Sequence, residues 1–427
     1  MVALQRFTCL LWALVVAGDD QHQVPHPSVR YIITLKEGIS ARDVDSHIDW
    51  AHGIHDSTIG RRGFNHTGIV DRIELGDSFH AYVAELHPDA VDAIKNSSSV
   101  RRVEVDLPLS PRRIRRQEGS TWAQSSISHH CPHHLTHAPE YLYDEENAGQ
   151  GAYVYVIDSN INVRHSEFEG RAIEVYNPGK YNHNRPHGSW VAGIVCSKTY
   201  GVAKKARLIA VTPEQKGGVG VGGVDDAFAS GFVAAMQFIM EHSKKYNLLG
   251  RAVISTSLGT ATKTSPAMDA AIEILHNYGL LLVSAAGNDG KDTRQTSPGS
   301  SPYALSVGAV DECWHKADFS SHGPYVYFHA PGVNIESLSH TEGRSHTASG
   351  TSAAAPIVAG LAAIELGRRE YKDPKELVKT LLEHGLEGAV KGLAANVPNT
   401  LAHNGLDIGK STCDPLPRFC TKEYGRA

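Results

Sequence analysis

The stretch Val154-Tyr155-Val156-Ile157-Asp158-Ser159 is an apolar run that ends abruptly in a carboxylate and a hydroxyl. Such a run is typical of a strand that is buried on both faces of a parallel sheet. Similar runs recur at Arg207–Val211, Ala252–Ser255, Leu280–Ser284, Leu305–Val310 and Val326–Ala330. Helical patterns alternate with them over residues 187–196, 224–247, 265–278, 352–368 and 373–384. This alternation predicts an α/β domain whose mostly parallel sheet is covered by helices on both faces.

Two further segments place a reactive side chain at the start of a helix. His187-Gly188-Ser189-Trp190-Val191-Ala192-Gly193 begins one helix, and Gly350-Thr351-Ser352-Ala353-Ala354-Ala355-Pro356 begins another. An Asp that orients a His, and a His that takes the proton of a Ser, form a nucleophilic acyl-transfer triad. We therefore predict that Asp158, His187 and Ser352 are catalytic. Taken singly, each residue has an ordinary alternative. Asp158 could be a turn residue after a strand, Ser352 could be a helix cap, and His187 is one of 25 histidines in the chain.

These motifs, in the order Asp, His, Ser, resemble those of the subtilisin-like serine peptidases, and most of all the fungal proteinase K-like branch. The resemblance runs from about residue 122 to about residue 404 and implies a secreted serine endopeptidase that is made as a zymogen. Ala285-Ala286-Gly287-Asn288 resembles the stretch that carries the family's oxyanion asparagine, which implies that Asn288 is the oxyanion donor. The resemblance also implies a first specificity pocket walled by Ser257, Leu258, Gly259, Ala285, Ala286 and Gly287.

The loop Gly217–Gly223 stands where this family adds an extended substrate as an extra strand. It lacks the lysine of a phosphate-binding loop, so we do not expect it to hold a nucleotide. Pairing with the backbone of a peptide is one interpretation of the loop. A plain flexible loop is the alternative.

Residues 30–105 have their own pattern: a strand from Arg30, a helix over 40–55, strands over 69–75 and 80–86, a helix from Pro88 and a strand from Val100. The order β-α-β-β-α-β predicts a small ferredoxin-like α+β domain. It resembles the inhibitory pro-region of the family, which occupies the cleft of its own enzyme. The sequons at Asn65 and Asn96 lie in this region and are candidate glycosylation sites.

Arg112-Arg113-Ile114-Arg115-Arg116 follows this domain. We interpret it as a processing site, cleaved near Arg116, and the alternative is a solvated basic linker. The predicted organisation is a signal peptide over residues 1–18, a removable pro-region over 19–116, a peptidase domain over 117–410 and a cysteine-containing tail over 411–427.

The N-terminus indicates export. Arg6 precedes the apolar run Phe7–Ala17, and Val16-Ala17-Gly18 offers small residues for cleavage. This pattern is typical of a secretory signal peptide and is too short to span a membrane. A net charge of −5 gives no reason to expect a nucleic-acid partner. We expect a secreted monomer that acts on polypeptides and has no membrane anchor.

Five cysteines remain after signal removal: Cys131, Cys196, Cys313, Cys413 and Cys420. Because the number is odd, at least one thiol is unpaired or bonds to another molecule. We predict a disulfide between Cys413 and Cys420, because they lie close together in a polar tail.

Four residues depart from the family pattern. Asn160 replaces a glycine after the aspartate motif, and asparagine tolerates a left-handed backbone better than most residues do. Trp190 replaces a histidine on the face of His187, where an indole could reshape the cleft. Ala353 replaces a methionine, which could leave a gap. Tyr327 stands where the family's calcium site has an aspartate. A phenol is a poor substitute for a carboxylate ligand, so we predict no required cofactor and keep calcium only as a candidate ligand whose usual carboxylate is replaced by Tyr327.

The tract His129-His130-Cys131-Pro132-His133-His134, followed by His137, has two interpretations. It could bind a transition metal, or it could be a solvated loop that becomes charged below about pH 6.5. We favour the loop and predict no metal ligand.

The main rival to a peptidase is a binding protein with the same fold and relaxed catalytic demands. A histidine-rich metal-binding protein is a third reading. Peptide turnover separates the first reading from the other two.

Overall fold

The computed structural model describes residues 29–59, 67–76, 78–106, 113–179, 186–213, 228–394, 397–406 and 420. The chain forms two units, one ending at Pro111 and the other beginning at Arg112. Some predictions concern residues outside the described ranges, namely the signal peptide, Asn65, Gly217–Gly223 and Cys413. No helix of the described ranges is long and apolar enough to cross a membrane.

The first unit has the predicted ferredoxin-like order. Its elements are β1 (Val29–Leu35), α1 (Ala41–Ile59), β2 (Gly68–Leu75), β3 (Phe79–Leu86), α2 (Pro88–Lys95) and β4 (Val100–Val105). The strands pair in the order β2-β3-β1-β4, and every neighbouring pair is antiparallel. Ile33, Tyr82 and Ile94 are fully buried between the sheet and the helices. Burying each such side chain contributes roughly 1.5–3 kcal/mol.

The second unit is built on a nine-stranded sheet in the order β16-β17-β13-β12-β11-β10-β7-β9-β8. Its strands are β7 (Tyr153–Ile157), β8 (Ala172–Tyr176), β9 (Arg207–Val211), β10 (Ala252–Thr256), β11 (Leu281–Ala285), β12 (Ala304–Val310), β13 (Val326–Pro331), β16 (Leu386–Glu387) and β17 (Thr400–Leu401). All neighbours are parallel except the short edge pair β16–β17. The predicted mostly parallel sheet is confirmed.

Side chains of β7 alternate between two apolar layers, as the two-residue period of a strand requires. Val154 and Val156 pack in the layer that contains α4 (Pro186–Cys196) and α7 (Thr351–Arg368). Tyr155 and Ile157 pack in the opposite layer. That layer contains α5 (Ala229–Lys245) and α6 (Pro266–Asn277). Helices therefore cover both faces of the sheet, as predicted.

The helix α7 is buried on nearly all sides and lies against β10, β11, β12 and β13. Its alanines allow close approach to the sheet, and a helix that is apolar all round belongs inside a protein. The last helix, α8 (Pro374–His384), begins as predicted: the side chain of Asp373 accepts a hydrogen bond from Lys375 N at 2.9 Å.

Several short elements were not predicted because they are too short or too polar to show a period. They are β5 (Ile114–Glu118), α3 (Trp122–Ser126), β6 (Glu140–Asp144), the edge strand β8, and the hairpin of β14 (Ile335–Leu338) and β15 (Ser345–Ala348). β5 pairs antiparallel with β6. Arg116 lies in the middle of β5, so cleavage after this residue, which stays a prediction, would divide a strand.

The predicted Cys413–Cys420 disulfide is wrong. Cys420 is bonded to Cys313, with a Cα–Cα distance of 5.4 Å and a sequence separation of 107 residues. Both residues are buried. Proximity in sequence misled the prediction, because the chain returns to the loop after β12. Closing a loop of this length stabilises the fold by about 4–5 kcal/mol in the chain-entropy account.

The expectation of an unpaired thiol is confirmed by Cys196, which lies at the end of α4 and is fully buried. Burial raises the pKa of the Cys196 thiol to about 12, although Arg171 opposes this shift. Because only the thiolate is reactive, this cysteine is a packing residue.

Candidate active site

The functional candidates lie at one edge of the sheet. Asp158 follows β7, Ser257 follows β10, and the segment Ala286–Asn288 follows β11. These three strands are adjacent and parallel, in the order β11-β10-β7. Carboxyl ends of parallel strands meet at the same edge, which is where open α/β sheets bind their ligands.

Asp158 and His187 form a hydrogen-bonded pair. The Nδ1 atom of His187 lies 2.8 Å from Oδ1 of Asp158, and the Asp158 side chain is fully buried. The same oxygen accepts hydrogen bonds from the backbone N of Ser159 at 2.7 Å and from its hydroxyl at 3.1 Å. Because a carboxylate oxygen only accepts, His187 carries its proton on Nδ1. Its Nε2 atom is then the acceptor.

Gly188 allows helix α4 to begin against the turn after β7. A Cβ atom at this position would lie 2.3 Å from the carbonyl oxygen of Ser159, which is a severe clash. The backbone N of Gly188 also donates to the Ser159 hydroxyl at 3.2 Å. The contact fixes the start of α4, and thus His187, next to Asp158.

The environment of His187 raises its pKa above the usual 6.5. Burial, the largest influence, acts in the opposite direction and lowers it. The charge of Asp158 and its hydrogen bond together outweigh burial. Asp158 therefore stabilises the protonated imidazole.

Ser352 lies in the first turn of α7 and is half-buried. Its carbonyl oxygen accepts a hydrogen bond from the Ser257 hydroxyl at 3.0 Å, which connects the start of α7 to the end of β10. Helices α4 and α7 pack against each other, so His187 and Ser352 stand at the N-terminal ends of two contacting helices. Backbone N–H groups at the start of α7 favour negative charge there.

The side-chain amide of Asn288 has a defined orientation. Its Oδ1 atom accepts from the backbone N of Thr351 at 2.8 Å and from the Thr351 hydroxyl at 2.9 Å. Asn288 Nδ2 and Ser352 N lie 3.3 Å and 3.6 Å from the point where a Cβ at Gly350 would be. These two nitrogens, together with Asn288 Oδ1 at 3.6 Å, therefore border the space beside Gly350.

Thr351 is a site residue that the sequence analysis did not single out. It is fully buried, and its hydroxyl accepts from the backbone N of Gly287 at 3.1 Å while donating to Asn288. The Gly-Thr-Ser order was visible in the sequence. The sequence did not show that Thr351 pairs with Asn288, which lies 63 residues earlier in the chain.

The predicted pocket walls lie side by side at the ends of β10 and β11. Gly259 lies against the backbone of Ser297, since a Cβ there would be 3.0 Å from its carbonyl oxygen. Gly287 has a φ of +110°, a left-handed angle that favours glycine. The side chain of Leu258 packs against the α5–α6 layer, and Ala286 is buried while Ala285 is half-buried.

Trp190 braces α4 against the β14–β15 hairpin. Its side chain is 1% exposed, and its Nε1 atom donates to the carbonyl oxygen of Ile335 at 2.9 Å. The indole lies 5.9 Å from the His187 ring and 6.2 Å from the His346 ring, measured between centroids. Trp190 therefore connects helix α4, which carries His187, to strand β14.

Asn160 and Ala353 are the other two departures near the candidate site. Asn160 does not use a left-handed backbone angle, so the tolerance we expected of asparagine is not needed at this turn. Ala353 is fully buried in the α4–α7 layer.

Asn96, a candidate glycosylation site, is exposed at the C-terminal cap of α2.

The surroundings of Tyr327 do not fit calcium. It lines a pocket whose other walls include Leu281, Leu305 and Leu382, together with the cationic Lys375 and Lys379. No carboxylate lines this pocket among the described residues. Calcium requires six to eight oxygen ligands, including carboxylates.

Comparison with known proteins identifies the two units. Residues 149–404 match the family described as the subtilase family, and residues 30–111 match the family described as peptidase inhibitor I9. These are the two families that the motifs of the peptidase region and the pattern of residues 30–105 resemble.

Relatives match over nearly the whole chain. Alkaline protease 1 of Aspergillus clavatus is 36% identical over 95% of this chain and 100% of its own length. Subtilisin-like proteinase Mp1 of Magnaporthiopsis poae is 34% identical over 93% of this chain and 96% of its own. A crystal structure of a cold adapted subtilisin-like serine proteinase is 29% identical, with a TM-score of 0.59, and covers 67% of this chain and 98% of that one. The chain belongs to the subtilase family and is a subtilisin-like serine protease with an I9 pro-region.

Proposed function

We propose that this protease hydrolyses peptide bonds through an acyl-enzyme on Ser352, with His187 as base and Asp158 as the residue that orients it. The observation that carries the proposal is the hydrogen bond of 2.8 Å from His187 Nδ1 to the buried Asp158. It leaves Nε2 of a neutral imidazole as a proton acceptor, which is what a hydroxyl nucleophile needs.

In the first step the Ser352 hydroxyl attacks the peptide carbonyl carbon, and its proton passes to Nε2 of His187. The carbonyl electron pair moves onto oxygen. When the intermediate collapses, the C–N bond breaks and His187 returns the proton to the departing amine. A water molecule then attacks the acyl-enzyme by the same route, releasing the acid and restoring Ser352.

The negative oxygen of the intermediate would be stabilised by two donors, Asn288 Nδ2 and the backbone N–H of Ser352. The proposal rests on the space beside Gly350 that both nitrogens border. Thr351 would act as a positioning residue, because it holds Asn288 Oδ1 and thereby directs Nδ2. Ser257, Leu258, Gly259 and the segment Ala285–Gly287 would hold the substrate next to these groups.

We also infer the setting in which the enzyme works. The apolar N-terminal run supports secretion, and Asn65 and Asn96 would be glycosylated in the pro-region before it is removed. The processed enzyme would act as a monomer on exposed polypeptides, without nucleic acid or membrane partners. We propose no required cofactor, and no calcium beside Tyr327.

The pH dependence of activity should reflect His187. Because the base must be neutral, kcat/KM should fall as the pH decreases through the His187 pKa. Asp158 holds that pKa above the usual 6.5, so the loss should begin at a higher pH than for an isolated histidine. Peptide hydrolysis measured between pH 5 and 10 tests this. An acidic limb centred below pH 6 would contradict it.

Replacing Asn288 by Asp should lower kcat by about 10²–10³-fold with little change in KM, the magnitude known for the oxyanion asparagine of subtilisin. The carboxylate still accepts from Thr351 but offers no N–H to the intermediate. Steady-state kinetics on a chromogenic peptide measures the effect. The exposed Asn247→Asp variant is the matched control for the added charge. Equal rates for the two variants would exclude Asn288 from catalysis.

Turnover of an unstructured polypeptide by the processed protein tests the proposed function as a whole. We expect many cleavages per molecule, and a burst of product equal to the enzyme concentration with an activated ester. A folded, processed protein that binds the polypeptide but cleaves nothing would instead support the rival binding-protein function.

A further inference from the structure

We propose that His129, His133 and Glu140 form a binding site for a divalent transition-metal ion, with zinc as the best fit, outside the proposed catalytic site. His129 follows α3, His133 begins a short 3₁₀ helix (His133–Leu135), and Glu140 is the first residue of β6. One potential ligand atom from each of the three side chains lies within 4.8 Å of those of the other two. The site is independent of the proposed peptidase mechanism.

The distances suit tetrahedral coordination. His129 Nε2 lies 3.4 Å from Glu140 Oε1, and His133 Nε2 lies 3.9 Å from the same oxygen. A tetrahedral zinc ion with bonds of about 2.0–2.1 Å holds its ligand atoms about 3.3–3.4 Å apart. An imidazole nitrogen binds a metal ion in the plane of its ring, so His133, whose ring is stacked parallel to His129 at 4.4 Å, would have to turn out of this stack to join the site. A ligand set of two imidazoles and one carboxylate is common in zinc sites with an open position.

The hydrogen bonding of His129 independently points to a cation. Its Nδ1 atom lies 2.9 Å from the carbonyl oxygen of Ser125, which can only accept, so Nδ1 carries a proton. In the neutral ring Nε2 then presents a lone pair to the carboxylate of Glu140. Two acceptors facing each other repel unless a proton or a metal ion lies between them. A carbonyl on the distal nitrogen is also the usual outer partner of a metal-ligating histidine.

The histidine rings of this tract contact one another in the structure. His129 and His133 are stacked with centroids 4.4 Å apart and an interplanar angle of 2°, and His133 stacks on His137 at 4.5 Å. The His129 and Glu140 side chains are only 10% and 12% exposed. Within the tract, His129 is therefore largely shielded from solvent, whereas His130 and His137 are exposed as the prediction of a solvated loop implies. His134 is committed elsewhere, since its Nε2 atom lies 3.0 Å from the carbonyl oxygen of Glu312.

The neighbours of Glu140 indicate which segments of the chain a bound ion would connect. Arg116 in β5 donates to the second oxygen of Glu140 at 2.6 Å, leaving Oε1 for the metal. An ion would therefore join the segment after α3 to the β5–β6 hairpin, at the N-terminal border of the second unit. Another cluster in the described residues, Asp311, Cys313 and His315, offers no thiolate because Cys313 is in the disulfide.

The test is titration of ZnCl₂ into the full chain carrying Ser352→Ala, which prevents self-digestion. Calorimetry counts tight sites, and zinc-edge X-ray absorption reports the ligands. His129→Gln/His133→Gln should bind one equivalent fewer than the parent, and Glu140→Gln should bind that equivalent at least about 10-fold more weakly. The matched control is His130→Gln, an exposed histidine of the same tract.

Thermal unfolding gives a second readout. Zinc at 100 µM should raise the Tm of the parent and of His130→Gln more than that of the double variant. Unfolding without zinc verifies that each variant is folded. Equal numbers of tight sites in the control and the double variant would overturn the proposal. So would a parent that binds no zinc tightly, since a proton would then occupy the gap between His129 and Glu140.

Discussion

His187→Ala should lower kcat for peptide hydrolysis by about 10⁶-fold, the loss that removal of the triad serine or histidine causes in subtilisin. Without an imidazole, nothing in the proposed mechanism accepts the Ser352 proton or protonates the departing amine. KM should change little, because the substrate would contact other residues. Steady-state kinetics on a chromogenic peptide, at protein concentrations high enough to detect residual rates, measures the loss.

The matched control is His130→Ala, which removes an exposed histidine and should leave kcat unchanged. Circular dichroism and thermal unfolding show whether His187→Ala remains folded. A folded His187→Ala variant that retains a tenth of the parent activity would show that another base serves Ser352.

Asp158→Asn should lower kcat by about 10⁴-fold, with the fold retained. Oδ1 of Asp158 accepts three hydrogen bonds, from His187 Nδ1 and from the backbone and hydroxyl of Ser159. An asparagine lacks the charge that stabilises the protonated imidazole in either orientation. If its amide nitrogen takes the Oδ1 position, Ser159 N also loses its acceptor, and the imidazole must carry its proton on Nε2, where it cannot accept one from Ser352.

This variant has a second signature that a general loss of structure would not produce. Without the Asp158 charge, the acidic limb of the pH profile should move to lower pH, since that charge raises the His187 pKa. Asp373→Asn is the matched control, because asparagine caps α8 as well as aspartate does. An unchanged acidic limb together with a large loss of kcat would assign Asp158 a purely structural role.

The sheet of the second unit could be predicted because its strands are apolar on both sides. The apolar run Val154–Ile157, followed by alternating helices, predicts a buried strand. The observed β7 begins one residue earlier than that prediction, at Tyr153. By contrast, the five-residue strands β5, β6 and β8 do not alternate: β5 has no buried residue, β6 has no exposed residue, and β8 has a single buried residue. Segments of that length have no period to detect, and their pairing depends on partners that are distant in sequence.

The residue types of the candidate site could be proposed from the sequence, but the contacts between them could not. Asp158, His187 and Ser352 stand out by their motifs. Gly188, by contrast, became interpretable only when its contact with the Ser159 carbonyl was known. Thr351 likewise acquires its role from Asn288. Trp190 looked disruptive as a sequence departure, yet the structure buries it against Ile335, where its indole N–H has a partner.

The disulfide could not be predicted from the spacing of the cysteines in the sequence. Cys413 and Cys420 are close in sequence, but a disulfide requires Cα atoms about 4.4–6.8 Å apart in space. Cys313 meets that requirement for Cys420 from 107 residues away. The histidine tract shows the same limit. Its composition did not reveal that His129 and His133 lie beside the carboxylate of Glu140 at the start of β6.

The central claim is that Ser352 is an activated nucleophile. The most direct measurement is the intact mass of the processed protein after reaction with a fluorophosphonate probe, with Ser352→Ala beside it. We predict one adduct on the wild type, located at Ser352, and none on the variant. A folded, processed wild type that acquires no adduct, or a variant labelled equally well, would contradict the claim.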